Sequence, residues 1–287
     1  MNSRLALGTA QFGMSYGIAN QTGQVNKTEA AAILKQALVV GIDTLDTAIA
    51  YGDAEKQLGE IGIPKWNVIS KLPPIPEDCN NISAWVTGVV RSSVQCLGVD
   101  QLHGLLLHRP QDLLGNHGSK LYDTLNQLKN IGLVKKIGVS IYDINELGVL
   151  CSNYQIDIVQ APFNIIDRRL VDSGWLKSLV SKNIEVHARS VFLQGLLLMN
   201  QSVRPDKFLR WNNLWNIWQQ WLADSRLTPL QACLCYALKQ TQLSRIIVGV
   251  DSLNQFQEIL NAVKSDIPDV PSELSSIDID LINPGKW

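Results

Sequence analysis

Residues 45–71, LDTAIAYGDAEKQLGEIGIPKWNVISK, contain one complete unit of the pattern that the rest of the chain repeats. An apolar run ends at Asp46, a turn carries Tyr51, and a second apolar run ends at Lys71. A carboxylate, a phenol and an ammonium therefore lie at or just beyond the ends of two predicted strands. Because ligands of parallel sheets bind beyond the carboxyl ends of the strands, we interpret these three residues as part of a catalytic cluster.

Short strand-like runs alternate with helical patterns along the whole chain. We predict strands at residues 5–8, 44–46, 67–71, 104–108, 136–140, 157–161, 185–189 and 245–248. We predict helices at residues 30–40, 82–97, 119–131, 144–151, 170–180, 230–240 and 252 to about 264, and a short helix that Asp53 could cap. Eight strands, each followed by a helix, predict an α/β fold, a (β/α)8 TIM barrel that forms a single domain over residues 1–287.

An open doubly wound sheet is the main alternative to a barrel. Such a sheet would more often have five or six strands and a glycine-rich phosphate loop after the first strand. Here that turn reads Gly8-Thr9-Ala10-Gln11-Phe12-Gly13, which lacks the spacing of a G-x-G-x-x-G loop. The sequence therefore favours the barrel.

The composition is ordinary, and the net charge makes a small molecule the default partner. With 287 residues, 46% of them hydrophobic, and a formal net charge of -1, the chain can bury a large core but has no attraction for nucleic acid or an anionic membrane. Its five cysteines have no framework spacing, so we expect reduced thiols and a cytoplasmic protein. Cys233 and Cys235 lie two apart in a helical pattern, and His103, His117 and His187 have no partners at metal spacing, so we predict no metal site.

A fourth residue, His108, directly follows the apolar run Leu105-Leu106-Leu107. Barrels of this kind keep their catalytic groups at the carboxyl ends of the strands, so His108 is expected at the same rim as Asp46, Tyr51 and Lys71. Each of these residues alone is more often a helix cap, a packed ring, a solvated charge or a turn residue. The coincidence of four chemically complementary groups on consecutive strand ends favours an active site.

Short segments at successive strand ends form a specific combination. They are Leu7-Gly8-Thr9-Ala10-Gln11-Phe12-Gly13, Asp46-Thr47-Ala48 with Tyr51-Gly52 and Glu55, Ser70-Lys71, Leu107-His108-Arg109-Pro110, Gly138-Val139-Ser140, Gln160-Ala161-Pro162-Phe163-Asn164 and Val248-Gly249-Val250-Asp251-Ser252. The combination resembles the aldo-keto reductase family over nearly the whole chain. The resemblance implies reduction of a carbonyl compound by a nicotinamide cofactor bound in extended form over the barrel mouth, without a Rossmann domain.

The side chains of the four rim residues suit this reaction. Hydride addition to a carbonyl carbon builds negative charge on the oxygen, so a proton donor is needed there, and we assign that role to Tyr51. Lys71 would favour ionisation of the phenol, Asp46 would hold Lys71 in place, and His108 would orient the substrate oxygen. The protein is therefore predicted to be an NAD(P)H-dependent enzyme that reduces an aldehyde or ketone to an alcohol.

Two other functions stay open. A lysine at a strand end beside acidic groups is also what a Schiff-base lyase needs, with Lys71 as the nucleophile. The second alternative is a regulatory subunit that binds the cofactor as a redox sensor without turnover, as some members of the family do.

The resemblance also implies a set of cofactor-binding residues. These are Thr9, Ser140, Gln160, Arg189, Gly249, Asp251, Ser252 and Gln255. Ser140 and Gln160 would hold the nicotinamide carboxamide, whereas Ile141 stands where many relatives have an additional asparagine. Arg189 stands where many relatives stack an aromatic ring on the nicotinamide. A guanidinium there would stack in the same way, engage an anionic substrate or form a structural ion pair.

Cofactor choice depends on the start of the last helix. Ser252 and Gln255 have capping-box spacing, and backbone N–H groups at a helix start can hold a phosphate. Relatives that use NADPH commonly have Arg or Lys in this loop, but this chain has Asp251, which would repel a 2′-phosphate or accept the ribose hydroxyls of NADH. We expect NADP on the habit of the family, with NAD as the alternative because of Asp251.

Residues 190–228 form a long insertion after the seventh strand. Within it Trp211, Trp215, Trp218 and Trp221 recur at helical spacing, so we predict an additional helix that packs this aromatic face on the barrel. The alternative is a flap that closes over cofactor and substrate, with a residue between 192 and 196 near the pyrophosphate.

The expected partner is a small carbonyl compound. Residues 8–20 are similar to the start of reductases found with sugar and surface-polysaccharide biosynthesis genes, so a sugar-like substrate is one hypothesis. We expect no nucleic acid or membrane partner, and a monomer or a weak homo-oligomer.

Overall fold

The computed structural model describes residues 4–263 and 266–287, and its centre is a closed barrel of eight parallel strands. Each strand pairs with the next one in sequence, and the eighth pairs with the first, where Leu5 lies opposite Ile246. Closure leaves each strand of the described sheet with two neighbours, so no edge strand needs protection. The predicted (β/α)8 barrel is confirmed.

The strands differ from the predicted ranges by at most two residues at either end. They are β1 (Leu5–Gly8), β2 (Thr44–Asp46), β3 (Asn67–Leu72), β4 (Leu102–Leu107), β5 (Val134–Ser140), β6 (Ile158–Pro162), β7 (Glu185–Arg189) and β8 (Arg245–Gly249). The helices are α1 (Ala10–Gly13), α2 (Lys27–Val39), α3 (Ala54–Ile61), α4 (Ile82–Leu97), α5 (Gly118–Asn130), α6 (Glu146–Asn153), α7 (Arg169–Asp172), α8 (Trp175–Ser181), α9 (Asn212–Ser225), α10 (Pro229–Lys239), α11 (Leu253–Ala262) and α12 (Ile279–Ile282). Among the described helices, none has the length and apolar character needed to cross a membrane.

An apolar layer inside the barrel lies directly below the predicted site. Ile69 on β3, Leu106 on β4 and Ile158 on β6 are fully buried and form a cluster of their own. Because β3 and β6 are not neighbours in the sheet, their side chains can meet only across the barrel interior. Side chains two residues apart on a strand point to the same face, so Lys71, His108 and Gln160 follow these three on the inward side. The strand period therefore aims all three at the mouth of the barrel.

Two local predictions were wrong. The helix predicted at residues 170–180 is broken into α7 and α8, because Gly174 between them has a φ of 80°, in the left-handed region that ends a right-handed helix. Asp53 precedes α3, but its carboxylate accepts no hydrogen bond from the helix. Its backbone N–H instead donates to the Gly13 carbonyl at 3.3 Å. The last predicted helix extends to Ala262, and its expected end at Lys264 lies outside the described residues.

The insertion after β7 carries the predicted aromatic helix, α9. Trp215 and Trp218 are fully buried and Trp221 is 8% exposed, so this face packs into the core as expected. Trp211 precedes the helix and donates from its indole nitrogen to Asp278 at 3.0 Å. The aromatic stripe is therefore the face by which α9 packs on the barrel. Residues 190–198, which lie nearest the barrel mouth, precede α9 and form a different part of the insertion.

Candidate active site

A buried ion pair lies at the base of the site. The Lys71 ammonium is 2.6 Å from Asp46 Oδ1 and donates a second hydrogen bond to the Thr47 carbonyl at 2.8 Å. The side chains of Lys71 and Asp46 are only 1% and 7% exposed. Burial alone would lower the pKa of Lys71, but the Asp46 carboxylate and then Tyr51 outweigh burial, so this pKa lies above its usual range. Lys71 is therefore held as a charged ammonium.

The second oxygen of Asp46 continues the network across the barrel. Gln160 Nε2 donates to Asp46 Oδ2 at 2.6 Å, and Ser140 Oγ donates to Gln160 Oε1 at 3.0 Å. The backbone carbonyl of Asp46 accepts a hydrogen bond from Thr9 Oγ1 at 3.1 Å. All of these groups are buried. The Asp46 carboxylate thus connects β2 directly to β3 and β6, and through Gln160 to β5. The backbone carbonyl of Asp46 holds Thr9, which follows β1.

Tyr51 and His108 complete a group of four that we call the catalytic floor, together with Asp46 and Lys71. The two rings meet edge to face, with centroids 5.9 Å apart and an angle of 81° between planes. Lys71 Nζ lies 5.0 Å from the centroid of the Tyr51 ring, so the ammonium and the phenol are neighbours. The four predicted catalytic residues are therefore brought together.

The electrostatic surroundings keep His108 neutral. Burial, followed by the positive charges of Lys71 and Arg189, lowers the pKa of His108 to about 4, although Asp46 acts in the opposite direction. At pH 7 the imidazole consequently carries one N–H and one unprotonated nitrogen. A neutral ring can donate a hydrogen bond to a substrate oxygen without adding another cation to the site.

Two glycines fix the position of the Tyr51 loop. A Cβ on Gly13 would lie 1.7 Å from the Tyr51 carbonyl oxygen, and one on Gly52 would lie 2.4 Å from the Gly13 carbonyl oxygen. Gly52 also has a φ of 52°. The turn after β1 and the turn after β2 thus touch backbone to backbone. Both glycines belong to the quoted motifs, but their contact was missed; two glycines at neighbouring strand ends are a signal for such close approach.

A cleft of about 330 Å³ opens above the catalytic floor. Its lining includes every predicted catalytic and cofactor-binding residue except Lys71, which lies beneath it, and Ser252. The lining also contains residues that the sequence reasoning did not assign, among them Tyr16, Asn20, Tyr142 and Glu258. Clefts of this kind, with convergent polar groups and perturbed ionisation, are the usual binding sites of small molecules.

Two loops meet above this cleft, and we call their contact the strap. The Ile18 N–H donates to the Gln194 carbonyl at 3.1 Å, and Gln194 Nε2 donates to the Tyr16 hydroxyl at 3.0 Å. Gly195 packs so closely on Ala19 that a Cβ would lie 2.6 Å from the alanine methyl. Phe192, Gln194 and Gly195, from the segment 192–196 that was expected near the pyrophosphate, therefore line the cleft. No local pattern in the sequence indicates this pairing.

Arg189 lies in the cleft but forms no ion pair with any described residue. Its Nη2 donates to the Ile141 carbonyl at 2.8 Å and its Nη1 to Ser190 Oγ at 3.1 Å. Its Cζ lies 3.9 Å from the centroid of the Tyr142 ring. The structural ion pair considered for Arg189 is thus absent from the described part of the chain, and its stacking partner is Tyr142.

The start of α11 differs from the expected phosphate site. Ser252 Oγ accepts from the Gln255 N–H at 3.2 Å, as in a capping box, but Gln255 Oε1 accepts from the Asp251 N–H, one residue earlier than the box requires. The first N–H of the helix, that of Leu253, donates to the Glu29 carboxylate at 2.6 Å. A carboxylate from α2 therefore takes a position that was predicted for a phosphate.

Asp251 faces the cleft beside this helix start. Asn20 Nδ2 donates to its carboxylate at 2.9 Å, and burial raises the pKa of Asp251 although Gln255 and Asn20 oppose that effect. Glu258 lines the same part of the cleft. Among the described lining residues, Arg189 is the one lysine or arginine, so this end of the cleft is acidic.

The geometry disfavours one alternative function. A Schiff base forms when a neutral amine attacks a carbonyl carbon, so the lysine needs a lowered pKa and access to the substrate. Lys71 is 1% exposed, is paired with Asp46, and has a raised pKa. The site is better suited to hold a fixed positive charge below a phenol than to present a nucleophilic amine.

Comparison with known proteins gives one consistent answer. The sequence model of the Aldo/keto reductase family matches residues 4–278. The NADH-specific methylglyoxal reductase of Escherichia coli is 25% identical, with 95% of this chain and 93% of that protein covered. An uncharacterized oxidoreductase of Bacillus subtilis, YqkF, is 24% identical, with 90% of each chain covered.

Solved structures agree on the fold. The aldo-keto reductase AKR11C1 from Bacillus halodurans, in its holo form, superposes with a TM-score of 0.71 over 93% of this chain and 88% of its own, at 19% identity. A putative aldo-keto reductase from Pseudomonas aeruginosa gives a TM-score of 0.66 over 91% and 89%, at 21% identity. At these identities the likeness concerns the barrel and not the substrate.

Gly13→Ala tests the backbone contact that holds the Tyr51 loop. Because the added methyl group would overlap the Tyr51 carbonyl oxygen, we expect the free energy of unfolding to fall by about 3 kcal/mol, as measured by urea denaturation followed by tryptophan fluorescence.

The matched control is Gly88→Ala on α4, where an added Cβ meets no atom within 4 Å. This change should leave stability unaltered or raise it by about 0.5–1 kcal/mol, because alanine favours a helix. Equal effects of the two substitutions would contradict the close contact.

Proposed function

The chain belongs to the aldo/keto reductase family, and we propose that it is an oxidoreductase that uses a reduced nicotinamide cofactor to convert an aldehyde or ketone into an alcohol. The observation that carries this proposal is the catalytic floor. A buried, ion-paired Lys71, a Tyr51 ring beside it and a neutral His108 all converge at one cleft. Such an arrangement suits protonation of an oxygen that gains negative charge.

The residues of the cleft fit a nicotinamide cofactor. Ser140 and Gln160 form a polar pair whose hydroxyl and amide can bond a carboxamide, and they lie beside the catalytic floor. At the other end, Gly249 and Gln11 line the cleft, and a Cβ on Gly249 would lie 2.6 Å from Gln11, so glycine there lets the Gln11 side chain pack against the backbone. We propose that Thr9, Gln255 and the strap complete the binding site. When bound, the cofactor supplies a hydride to the carbonyl carbon.

The protein's own groups then supply the proton. We assign Tyr51 as the donor to the substrate oxygen, because Lys71 lies beside the phenol and its positive charge stabilises a phenolate after the proton has left. Asp46 keeps Lys71 in place and in its charged form. His108 donates a hydrogen bond that orients the oxygen towards Tyr51, and its neutrality avoids a second proton source at the same position.

We propose NADH as the preferred cofactor, which is the alternative raised by Asp251 rather than the NADP expected from the habit of the family. Glu29 already occupies the first N–H of α11, and Asp251 and Glu258 line the adjacent cleft. These carboxylates would repel a 2′-phosphate, whereas they can accept hydrogen bonds from ribose hydroxyls. The E. coli relative is described as NADH-specific, which agrees with this choice.

Tyr51→Phe tests the proposed reaction. The purified protein is assayed by the absorbance of NADH and of NADPH against a panel of aldehydes, ketones and sugars, including methylglyoxal. We expect the wild type to oxidise a reduced cofactor with at least one of these carbonyls, and Tyr51→Phe to lower turnover by at least about 100-fold while cofactor affinity stays unchanged, because only the proton donor is lost.

Tyr122→Phe is the control for loss of a tyrosine hydroxyl, since that hydroxyl bonds the Gln155 carbonyl at the surface. It should keep full turnover. Retained activity in Tyr51→Phe would refute the assigned donor. Tight cofactor binding by the wild type without turnover on the whole panel would instead support the redox-sensing subunit.

Asp251→Asn tests the cofactor preference. We expect the wild type to bind NADH at least tenfold more tightly than NADPH. In the variant, the ratio of the NADPH to the NADH dissociation constant should fall about five- to tenfold, because the substitution removes a charge but keeps an acceptor for Asn20. Dissociation constants are measured by fluorescence titration. Asp269→Asn, at a fully exposed carboxylate outside the cleft, should change neither constant. Tighter binding of NADPH by the wild type would refute the preference.

A further inference from the structure

Arg189 brings an uncompensated positive charge into the cleft. The groups that hold its guanidinium are the Ile141 carbonyl, Ser190 Oγ and the Tyr142 ring, and all of them are neutral. Two of the five N–H donors of the guanidinium are used in these hydrogen bonds. Within residues 4–263 and 266–287, no carboxylate forms an ion pair with Arg189.

The catalytic floor does not cancel this charge. Lys71 and Asp46 neutralise each other in their buried pair, and His108 is uncharged at pH 7 because its pKa lies at about 4. The charge of Arg189 reaches the floor, since it is one of the causes of the low pKa of His108. This end of the cleft therefore carries a net charge of about +1.

The guanidinium lies beside the residues that we propose for the nicotinamide. Its Nη2 is bonded to the carbonyl of Ile141, the residue that follows Ser140. Ser140 in turn is bonded to Gln160, and Arg189 on β7 pairs in register with Pro162, two residues beyond Gln160 on β6. On the proposed function, the positive charge thus adjoins the redox-active ring of the cofactor.

The backbone around Arg189 is held in a costly conformation. Ser190 has a φ of 59°, in the left-handed region that a serine seldom adopts. The fully buried Asn164 donates from Nδ2 to the Ser190 carbonyl at 3.0 Å, while its Oδ1 accepts from the N–H groups of Ile166 and Asp167. Strain that is held in this way is typical of functional sites, and here it fixes the residue whose hydroxyl orients Arg189.

We propose that Arg189 makes the site selective for the reduced cofactor over the oxidised one. The nicotinamide ring is neutral when reduced and carries a positive charge when oxidised, so a fixed cation beside it opposes binding of the oxidised form alone. In a partly buried site, two like charges a few ångströms apart change affinity by about ten- to a hundredfold. Arg189 therefore promotes release of the oxidised cofactor and its replacement by the reduced form.

The proposal rests on the proposed function and is tested by binding rather than by turnover. Dissociation constants for NADH, NAD+, NADPH and NADP+ are measured by titration calorimetry for the wild type, Arg189→Met and Arg189→Lys. We expect the ratio of the oxidised to the reduced constant to fall at least tenfold in Arg189→Met, through tighter binding of the oxidised form. Arg189→Lys should keep most of the selectivity because the charge remains.

Arg168→Met is the matched control. Arg168 also donates to backbone carbonyls, of Ile165 and Pro271, and stacks on a tyrosine, Tyr236, but it does not line the cleft. Its loss should leave the ratio unchanged. If Arg189→Met weakens both cofactor forms equally, Arg189 has only a structural role and the proposal is wrong.

Three further results would also overturn the proposal. If Arg189→Met leaves all four constants unchanged and lowers turnover only for carbonyl compounds that carry a carboxylate, Arg189 serves the substrate instead. If neither form of either cofactor binds to the wild type, the proposed function fails and this inference fails with it. Equal binding of both forms by the wild type would refute the inference alone, since cofactor binding itself would stand.

Discussion

The buried ion pair between Lys71 and Asp46 is the constraint on which the site depends. Two charges removed from water are costly unless each has a partner, and here the ammonium has Asp46 and the Thr47 carbonyl, while the second carboxylate oxygen has Gln160. Removal of any one partner would leave a buried charge or dipole unpaired. The positions of β2, β3 and β6 are therefore coupled through a single carboxylate.

The apolar layer below this pair and the glycine contacts beside it position the other groups of the site around it. Ile69, Leu106 and Ile158 fill the barrel interior, so the next inward residues on their strands must emerge at the mouth. Gly13 brings the turn after β1 against the Tyr51 carbonyl, and this contact places the phenol ring over the ammonium. The chemistry we propose thus follows from strand period, barrel packing and one close backbone contact.

Much of this arrangement could be predicted from the sequence, and the reason is local. Strand runs and their period are encoded within a few residues, so the barrel and the shared rim of Asp46, Tyr51, Lys71 and His108 followed from them. The resemblance to a known family added Ser140 and Gln160 as residues of the nicotinamide site, whereas their hydrogen bond to each other appears only in the structure. The broken helix at Gly174 was missed because the apolar pattern continues across it and was given more weight than the turn-forming run Asp172-Ser173-Gly174.

What could not be predicted depends on contacts between distant parts of the chain. Glu29 on α2 bonds the start of α11, and Gln194 from the insertion bonds Tyr16 from the turn after β1. The local sequence at Ser252 indicates a helix start whose N–H groups are available to a ligand, since no residue near it indicates that Glu29 of another helix binds there. Arg189 could be placed in the cleft from sequence, but its neutral partners and uncompensated charge appear only in three dimensions.

A double-mutant cycle on Asp46→Asn and Lys71→Met tests the central claim most directly. Unfolding free energies from urea denaturation give the coupling between the two side chains. We predict that each single change lowers the free energy of unfolding by about 3–5 kcal/mol, and that the double variant loses less than the sum of the two by about 2 kcal/mol or more. Additive effects, within about 0.5 kcal/mol, would contradict the view that this ion pair organises the site.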